Sequence, residues 1–247
     1  NSTTGLDGAN NNTVKNCILI GSRTTTGTNN IHGINFSDNN TGSLNMTSSG
    51  GASSINNIIE NNLITRVVTG IWANGLSGYA LSGLQIKNNV FGDGTLAGNP
   101  ATRGINLVHS ASSTNTPAII SGNDIQVGDP GTTGYTSSIA GIEIGTGNYG
   151  SLIYNNNIHD VVNQTSAGYH AIGIYITGST GTDQLKIYNN FIRDMLASRY
   201  SSVITTVGQN HGIFFSAGAT NVSIDNNTIV LSKNCTTSPT TVVSNYI

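Results

Sequence analysis

Two dipeptides, His159-Asp160 and Arg193-Asp194, carry the residue types that acid–base chemistry needs, and they stand 34 residues apart. An imidazole beside a carboxylate can pass a proton, and two carboxylates about 5 to 9 Å apart can cleave a glycosidic bond. Elimination from an acidic sugar would instead use an Arg or Lys base, commonly with acidic calcium ligands. The competing reading is a surface charge cluster in which Arg193 neutralises its neighbours, since structural ion pairs mimic sites. That reading is preferred, so no catalytic residue is assigned; His159, Asp160, Arg193 and Asp194 are the candidates. No metal site or cofactor is assigned, and calcium enters only with the elimination chemistry. Gly92-Asp93-Gly94 and Gly128-Asp129 each lack a second nearby carboxylate and read as turns. His211, in Gln209-Asn210-His211-Gly212, also reads as a turn residue.

Binding without chemistry has its own candidates. Trp72, Glu143, Tyr154, Tyr175, Tyr188 and Phe214 are expected to point outward and to contact substrate. Tyr154 and Tyr188 occupy one slot in successive repeats, and Tyr175 and Phe214 share another, with Glu143 one repeat before and Trp72 further along. Aromatic faces stack on sugar rings, with polar groups completing the contact. An aromatic ladder that only stabilises a sheet explains the same spacing equally well.

These residues are placed by a repeat. Seven times the chain reads apolar, any, Asn or Gly, Asn, any, apolar, with one Cys substituting for the second Asn: Val14–Leu19, Ile59–Ile64, Ile86–Phe91, Ile120–Ile125, Ile153–Ile158, Ile187–Ile192 and Ile224–Ile229. The fourth position falls at 17, 62, 89, 123, 156, 190 and 227. Between these phrases lies a Gly-Ile pair: Gly33, Gly70, Gly104, Gly141, Gly173 and Gly212, each followed by Ile. A period of this size with variable insertions marks a stacked array. No repeat has apolar residues at helical spacing, and Ile and Val alternating in-out-in after the glycine read as strands. Asn and Gly supply the turns because both tolerate positive φ. Each repeat is therefore a coil of short strands, stacked on the next about 4.8 Å away. Asn62, Asn89, Asn123, Asn156, Asn190 and Asn227 should form a ladder at one corner, amide bonded to amide, as buried polar groups require.

With those phrases, residues 10 to 232 resemble the right-handed parallel β-helix proteins of the pectate-lyase-like superfamily. The resemblance implies an all-β, right-handed parallel β-helix of about seven coils. It implies little about activity, because this fold hosts lyases, hydrolases, epimerases, adhesins and phage tailspikes. The acidic and Gly-His motifs of polygalacturonases and the arginine-proline-arginine region of pectate lyases are absent from the sequence. The loops, rich in Ser, Thr, Gly and Asn, resemble those of surface proteins that gliding and particle-degrading bacteria export by type IX secretion.

Composition narrows the partners. Of 247 residues only 8% are charged and the formal net charge is -2, against about a quarter charged in a typical soluble chain. No basic face is present to hold a phosphate backbone, so nucleic acid is not expected. No apolar run has membrane-spanning length. An extracellular or cell-surface module is expected, a single β-helix domain over 1–247 cut from a longer protein. Its expected partners are polysaccharide or other surface chains, met end to end or side by side. No capping helix is apparent. Cys17 and Cys235 lie at opposite ends of the array, tens of Å apart, whereas a disulfide needs Cα atoms within about 7 Å; no bridge is expected, and Cys17 reads as a buried thiol. Segments 37–55, 93–102, 128–138 and 195–210 are expected to project from the corners and to carry specificity. The function expected is that of a rigid structural or adhesive element, with a polysaccharide lyase or glycoside hydrolase as the alternative.

Overall fold

The structure, a computed structural model, describes residues 9–22, 31–36, 53–75, 77, 80–110, 116–129, 138–164, 169–178, 183–197, 209–216 and 219–231. Among these are 21 strands and no helix. The first coil contributes β1 (Thr13–Lys15), β2 (Ile18–Ile20) and β3 (His32–Phe36), and the second β4 (Ile58–Glu60), β5 (Leu63–Thr65) and β6 (Thr69–Asn74). Then come β7 (Gln85–Lys87), β8 (Val90–Phe91) and β9 (Arg103–Val108), followed by β10 (Ile119–Ser121), β11 (Asp124–Asp129) and β12 (Ile139–Ile144). Next are β13 (Leu152–Tyr154), β14 (Asn157–Asn163) and β15 (Ala171–Ile176). The last are β16 (Leu185–Tyr188), β17 (Phe191–Arg193), β18 (Leu196–Ala197), β19 (Asn210–Phe215), β20 (Val222–Asp225) and β21 (Thr228–Val230).

Every third strand pairs in parallel. The first sheet runs β1-β4-β7-β10-β13-β16-β20, the second β2-β5-β8-β11-β14-β17-β21 with β18 beside β14, and the third β19-β15-β12-β9-β6-β3. This is a parallel β-solenoid. Equivalent side chains superpose from coil to coil: Ile59, Ile86, Ile120, Ile153 and Ile187 form one fully buried column, and Ile71, Ile105, Ile142 and Ile174 another. Each such side chain contributes about 1.5–3 kcal/mol by leaving water.

Both repeated phrases have a steric cause. The third residue of the first phrase turns the chain in the left-handed region, at φ 54 in Asn88, Asn155 and Asn189 and φ 66 in Gly122, where Gly, and after it Asn and Asp, sit with least strain. The glycine of the second phrase has no room for a side chain. A Cβ on Gly173 would lie 2.4 Å from Ile192 Cγ2 and 2.5 Å from the Gly212 carbonyl oxygen, so this position brings the third sheet down onto the second-sheet isoleucines.

The ladder is continuous. Asn62, Asn89, Asn123, Asn156 and Asn190 each donate from Nδ2 to the Oδ1 of the next, at 2.9–3.0 Å, ending on Asn227. The same Nδ2 donates to a backbone carbonyl of the coil behind, as Asn156 does to Ile120 at 3.0 Å. Each Oδ1 also accepts the backbone N–H of the preceding ladder residue, as Asn156 Oδ1 does from Asn123 at 3.1 Å. Cys17 heads the column with its N–H on Asn62 Oδ1 at 3.0 Å. It is half-buried rather than buried, because no described strand stacks on the outer side of β1 and β2. Cys235 and the tail beyond 231 lie outside the described residues.

Of the expected projections, 37–52, 130–137 and 198–208 lie outside the described residues, and 93–97 is largely exposed as expected, but the 93–102 and 195–210 segments each return in part to the stack. Gly98 to Ala101 are buried, and the N–H groups of Ala101 and Thr102 donate to the Val67 and Val68 carbonyls at 3.0 and 2.9 Å. Met195 and Ala197 are buried too, with β18 beside β14. In both places the chain rejoins the stack, since backbone amides at a coil edge find carbonyls in the coil behind.

Candidate functional site

The six expected contact residues fall on two faces. Register places Trp72, Asn106, Glu143, Tyr175 and Phe214 in one outward column of the third sheet. Tyr154 and Tyr188 stand on the first sheet, in a column that runs Glu60, Lys87, Ser121, Tyr154, Tyr188, Asp225. All six are half-buried. Tyr154 and Tyr188 stack with ring centroids 5.0 Å apart and planes 8° from parallel. Tyr175 and Phe214 stack at 5.4 Å and 28°. Each pair uses one ring face on its neighbour, so a sugar would meet the remaining face or the ring edges.

The third-sheet face carries more than the sequence pattern indicated. Arg103, one residue before the repeat glycine, reaches from β9 to Glu143 on β12 with its Nε and donates from NH1 to the carbonyls of Thr102, at 2.7 Å, and Ser138. The pair is mostly buried, so its two charges satisfy each other in a poorly hydrated setting. At one end of the face His32 lies 5.4 Å from Trp72. At the other, His170 and His211 meet edge to face at 5.1 Å, and His211 lies 4.6 Å from Phe214. His211 is not the turn residue expected. It belongs to β19, aligned with Ile172 of β15, because the glycine after it continues the strand phrase.

Among the described residues, polar atoms on this face are left without partners. Asn106 is 5% exposed and its Oδ1 accepts no hydrogen bond; His211 is 8% exposed and its Nε2 is unpartnered; both ring nitrogens of His32 are in the same condition. Such atoms cost free energy and mark places where a ligand group or water completes the bonding. Burial lowers the pKa of His32 and His170, and burial first and the neighbouring His170 second push that of His211 down to about 4.

The catalytic candidates lie on the second sheet and divide into two groups. His159, with its side chain 9% exposed, contacts Asp124 Oδ1 through Nε2 and Asp160 Oδ2 through Nδ1, each at 2.8 Å. Arg193 bonds Asp194 at 2.5 Å and lies 5.6 Å above the exposed Phe191 ring. His159 thus has both ring nitrogens engaged by carboxylates and none directed at a substrate. Asp160 and Asp194 adopt φ 51 and 59, left-handed turn positions that Asp tolerates. Asp93, in the same sequence register, instead accepts from the Thr95 N–H and hydroxyl at 3.0 and 2.7 Å, and those bonds hold its carboxyl below the usual range. Among the described residues no three His, Cys, Asp or Glu side chains are grouped to hold a metal ion.

Asp124, Asn106, Arg103 and His170 escaped the sequence reading. Asp124 had a signal, since it follows ladder residue Asn123 as Asn157 follows Asn156, and Asn157 Nδ2 donates to it at 2.8 Å. No family model matches the chain, nor does any curated protein or any solved structure.

Proposed function

We propose that this chain is a rigid structural or adhesive module of a secreted or cell-surface protein and that it contacts polysaccharide through the third-sheet face. The observation that carries the reading is the column Trp72, Asn106, Glu143, Tyr175, Phe214, where half-buried aromatic rings flank an unpartnered amide oxygen and an acid held by Arg103. Rings supply apolar area while an orphaned acceptor and a fixed carboxylate supply direction, the combination that sugar hydroxyls fit. The low charge content of 8% agrees with an extracellular setting. So does the resemblance to pectate-lyase-like β-helix proteins. Side-by-side contact with other surface chains would use Ile18, Leu63 and Val90, an outward apolar column on the second sheet whose first and last members are exposed.

Lyase or hydrolase chemistry at His159 is the competing reading. It is disfavoured because the imidazole is clamped from both sides. A polysaccharide array probed with the purified chain, with and without calcium, decides between them, combined with an assay for new reducing or unsaturated ends. Retention on a polysaccharide, lost in Trp72→Ala or Tyr175→Ala and kept in Tyr188→Ala, is the expected result. Turnover that disappears in Asp124→Asn would overturn it.

A further inference from the structure

The His170–His211 pair sits at the last described strand of the third sheet. In that sheet β19 has β15 on one side and no described strand on the other. It is tied to the preceding coil by its ladder to β15, by the Ala171 N–H on the Gln209 carbonyl at 3.0 Å, and by one bond from backbone to ring. That bond is the Gln209 N–H donating to His170 Nδ1 at 3.2 Å. An Nδ1 that accepts a hydrogen bond carries no proton, so the bond requires neutral imidazole with its proton on Nε2. Protonating His170 sets an N–H against an N–H. On His211, 5.1 Å away and buried, a proton at Nε2 meets no acceptor among the described residues.

The surroundings offer no compensation. Facing the pair from β19 is Phe214, which itself stacks on Tyr175 of β15, and just before β19 stands Gln209. From β14, Asn163 donates to the His170 carbonyl at 3.2 Å; before β12, the Ser138 hydroxyl accepts the His170 N–H at 3.2 Å. From β18, the Ala197 N–H donates to Asn210 at 2.7 Å. None of these described neighbours is a carboxylate. The nearest acid along the column, Glu143, is occupied by Arg103. Two imidazolium rings here would repel each other in a poorly solvated setting.

We infer that the His170–His211 pair is an acid-operated latch, which holds β19 against β15 near neutral pH and releases that strand in mild acid. The sign follows from proton linkage. Burial lowers both pKa values in the fold, to about 4 for His211, so the unfolded or detached strand binds protons more readily. The latch is closed above about pH 6.5 and loosens progressively as pH falls toward 4. Release exposes one edge of β15 and separates Phe214 from Tyr175, whether or not this face binds polysaccharide. Because β19 pairs with β15 alone among the described strands, the opening is local.

Hydrogen exchange read by mass spectrometry at pH 7 and pH 4.5, corrected for the intrinsic pH dependence of exchange, tests this. The amides of β19 should lose protection at least about ten-fold on acidification relative to those of β6 and β9. In His170→Asn with His211→Phe, which keeps an acceptor for Gln209 and a ring against Phe214 but titrates at neither position, that differential loss should vanish. Equal protection at both pH values in the unsubstituted chain overturns the latch, as does an undiminished loss in the double variant. Should that variant fail to fold, nitrogen-correlated NMR of the unsubstituted chain decides: the proton of His170 belongs on Nε2 at pH 7, and finding it on Nδ1 refutes the proposal.

Discussion

The asparagine corner and the outer face of the third sheet are built from the same repeat and end in opposite conditions. At the corner the same residue recurs in successive coils, and each amide supplies what the next one needs. Asn156 donates three hydrogen bonds from Nδ2 and accepts two on Oδ1, all within 3.1 Å. On the third-sheet face, the position before the glycine holds in turn His32, Thr69, Arg103, Ala140, Ile172 and His211. No two neighbours in this series are alike, histidine recurring only at its two ends, and the polar ones have to find partners case by case. Arg103 finds Glu143, whereas His32 and His211 keep orphaned nitrogens. Repetition satisfies buried polar groups without further design. Where it lapses, polar groups are left unsatisfied, and on the proposed reading these are the groups a ligand would meet.

The sharpest way to break this contrast is to break the ladder. Asn156→Leu keeps the volume and the coil but leaves the N–H and Nδ2 of Asn123 without their acceptor and the Ile120 carbonyl without its donor. Each orphan costs about 1–3 kcal/mol, so a loss of about 3–5 kcal/mol is expected in urea unfolding. A loss under about 1 kcal/mol would mean that the ladder is ornamental and that the aliphatic columns alone hold the coils in register.

Next in size is the approach of the two sheets. Gly173→Ala places a methyl group 2.4 Å from Ile192 Cγ2 and 2.5 Å from the Gly212 carbonyl. The backbone oxygen cannot rotate away, so the third sheet must lift off the core. A destabilisation of about 1–3 kcal/mol is expected, read as a lower urea midpoint. The change lies beneath the outer face, so any polysaccharide retention should weaken along with the fold.

Most of the architecture was legible because it repeats. The positive-φ requirement at Asn88 and Gly122 and the missing Cβ space at Gly173 are local demands that only one or two residue types meet, so they surface as a phrase. The partition of aromatics into two faces was half-legible: the slots of Tyr154 with Tyr188 and of Tyr175 with Phe214 follow from spacing, but which sheet each occupies depends on how the coil closes. The site was legible least. Asp124 reaches His159 across coils, diagonally rather than in register, and a diagonal contact has no period to detect. His211 resembled a turn residue because its neighbours Asn210 and Gly212 are turn formers elsewhere in the chain. Here both lie within β19.

The smallest expected effect on stability is the most informative about use. Asn106 is buried, as the central ladder residues are, yet its Oδ1 bonds nothing in the described structure. Asn106→Leu therefore removes an unsatisfied acceptor instead of creating one, and the urea midpoint should move by less than about 1 kcal/mol in either direction, a gain included. The same substitution removes the acceptor that a sugar hydroxyl would meet between Trp72 and Glu143, so polysaccharide retention should fall about ten-fold, the worth of roughly one such hydrogen bond. A large loss of stability would mean that the amide is structural after all and would return this face to the logic of the ladder. Unchanged stability with unchanged retention would instead move the binding surface elsewhere on the solenoid, the first-sheet pair Tyr154 and Tyr188 being the next aromatic ground to test.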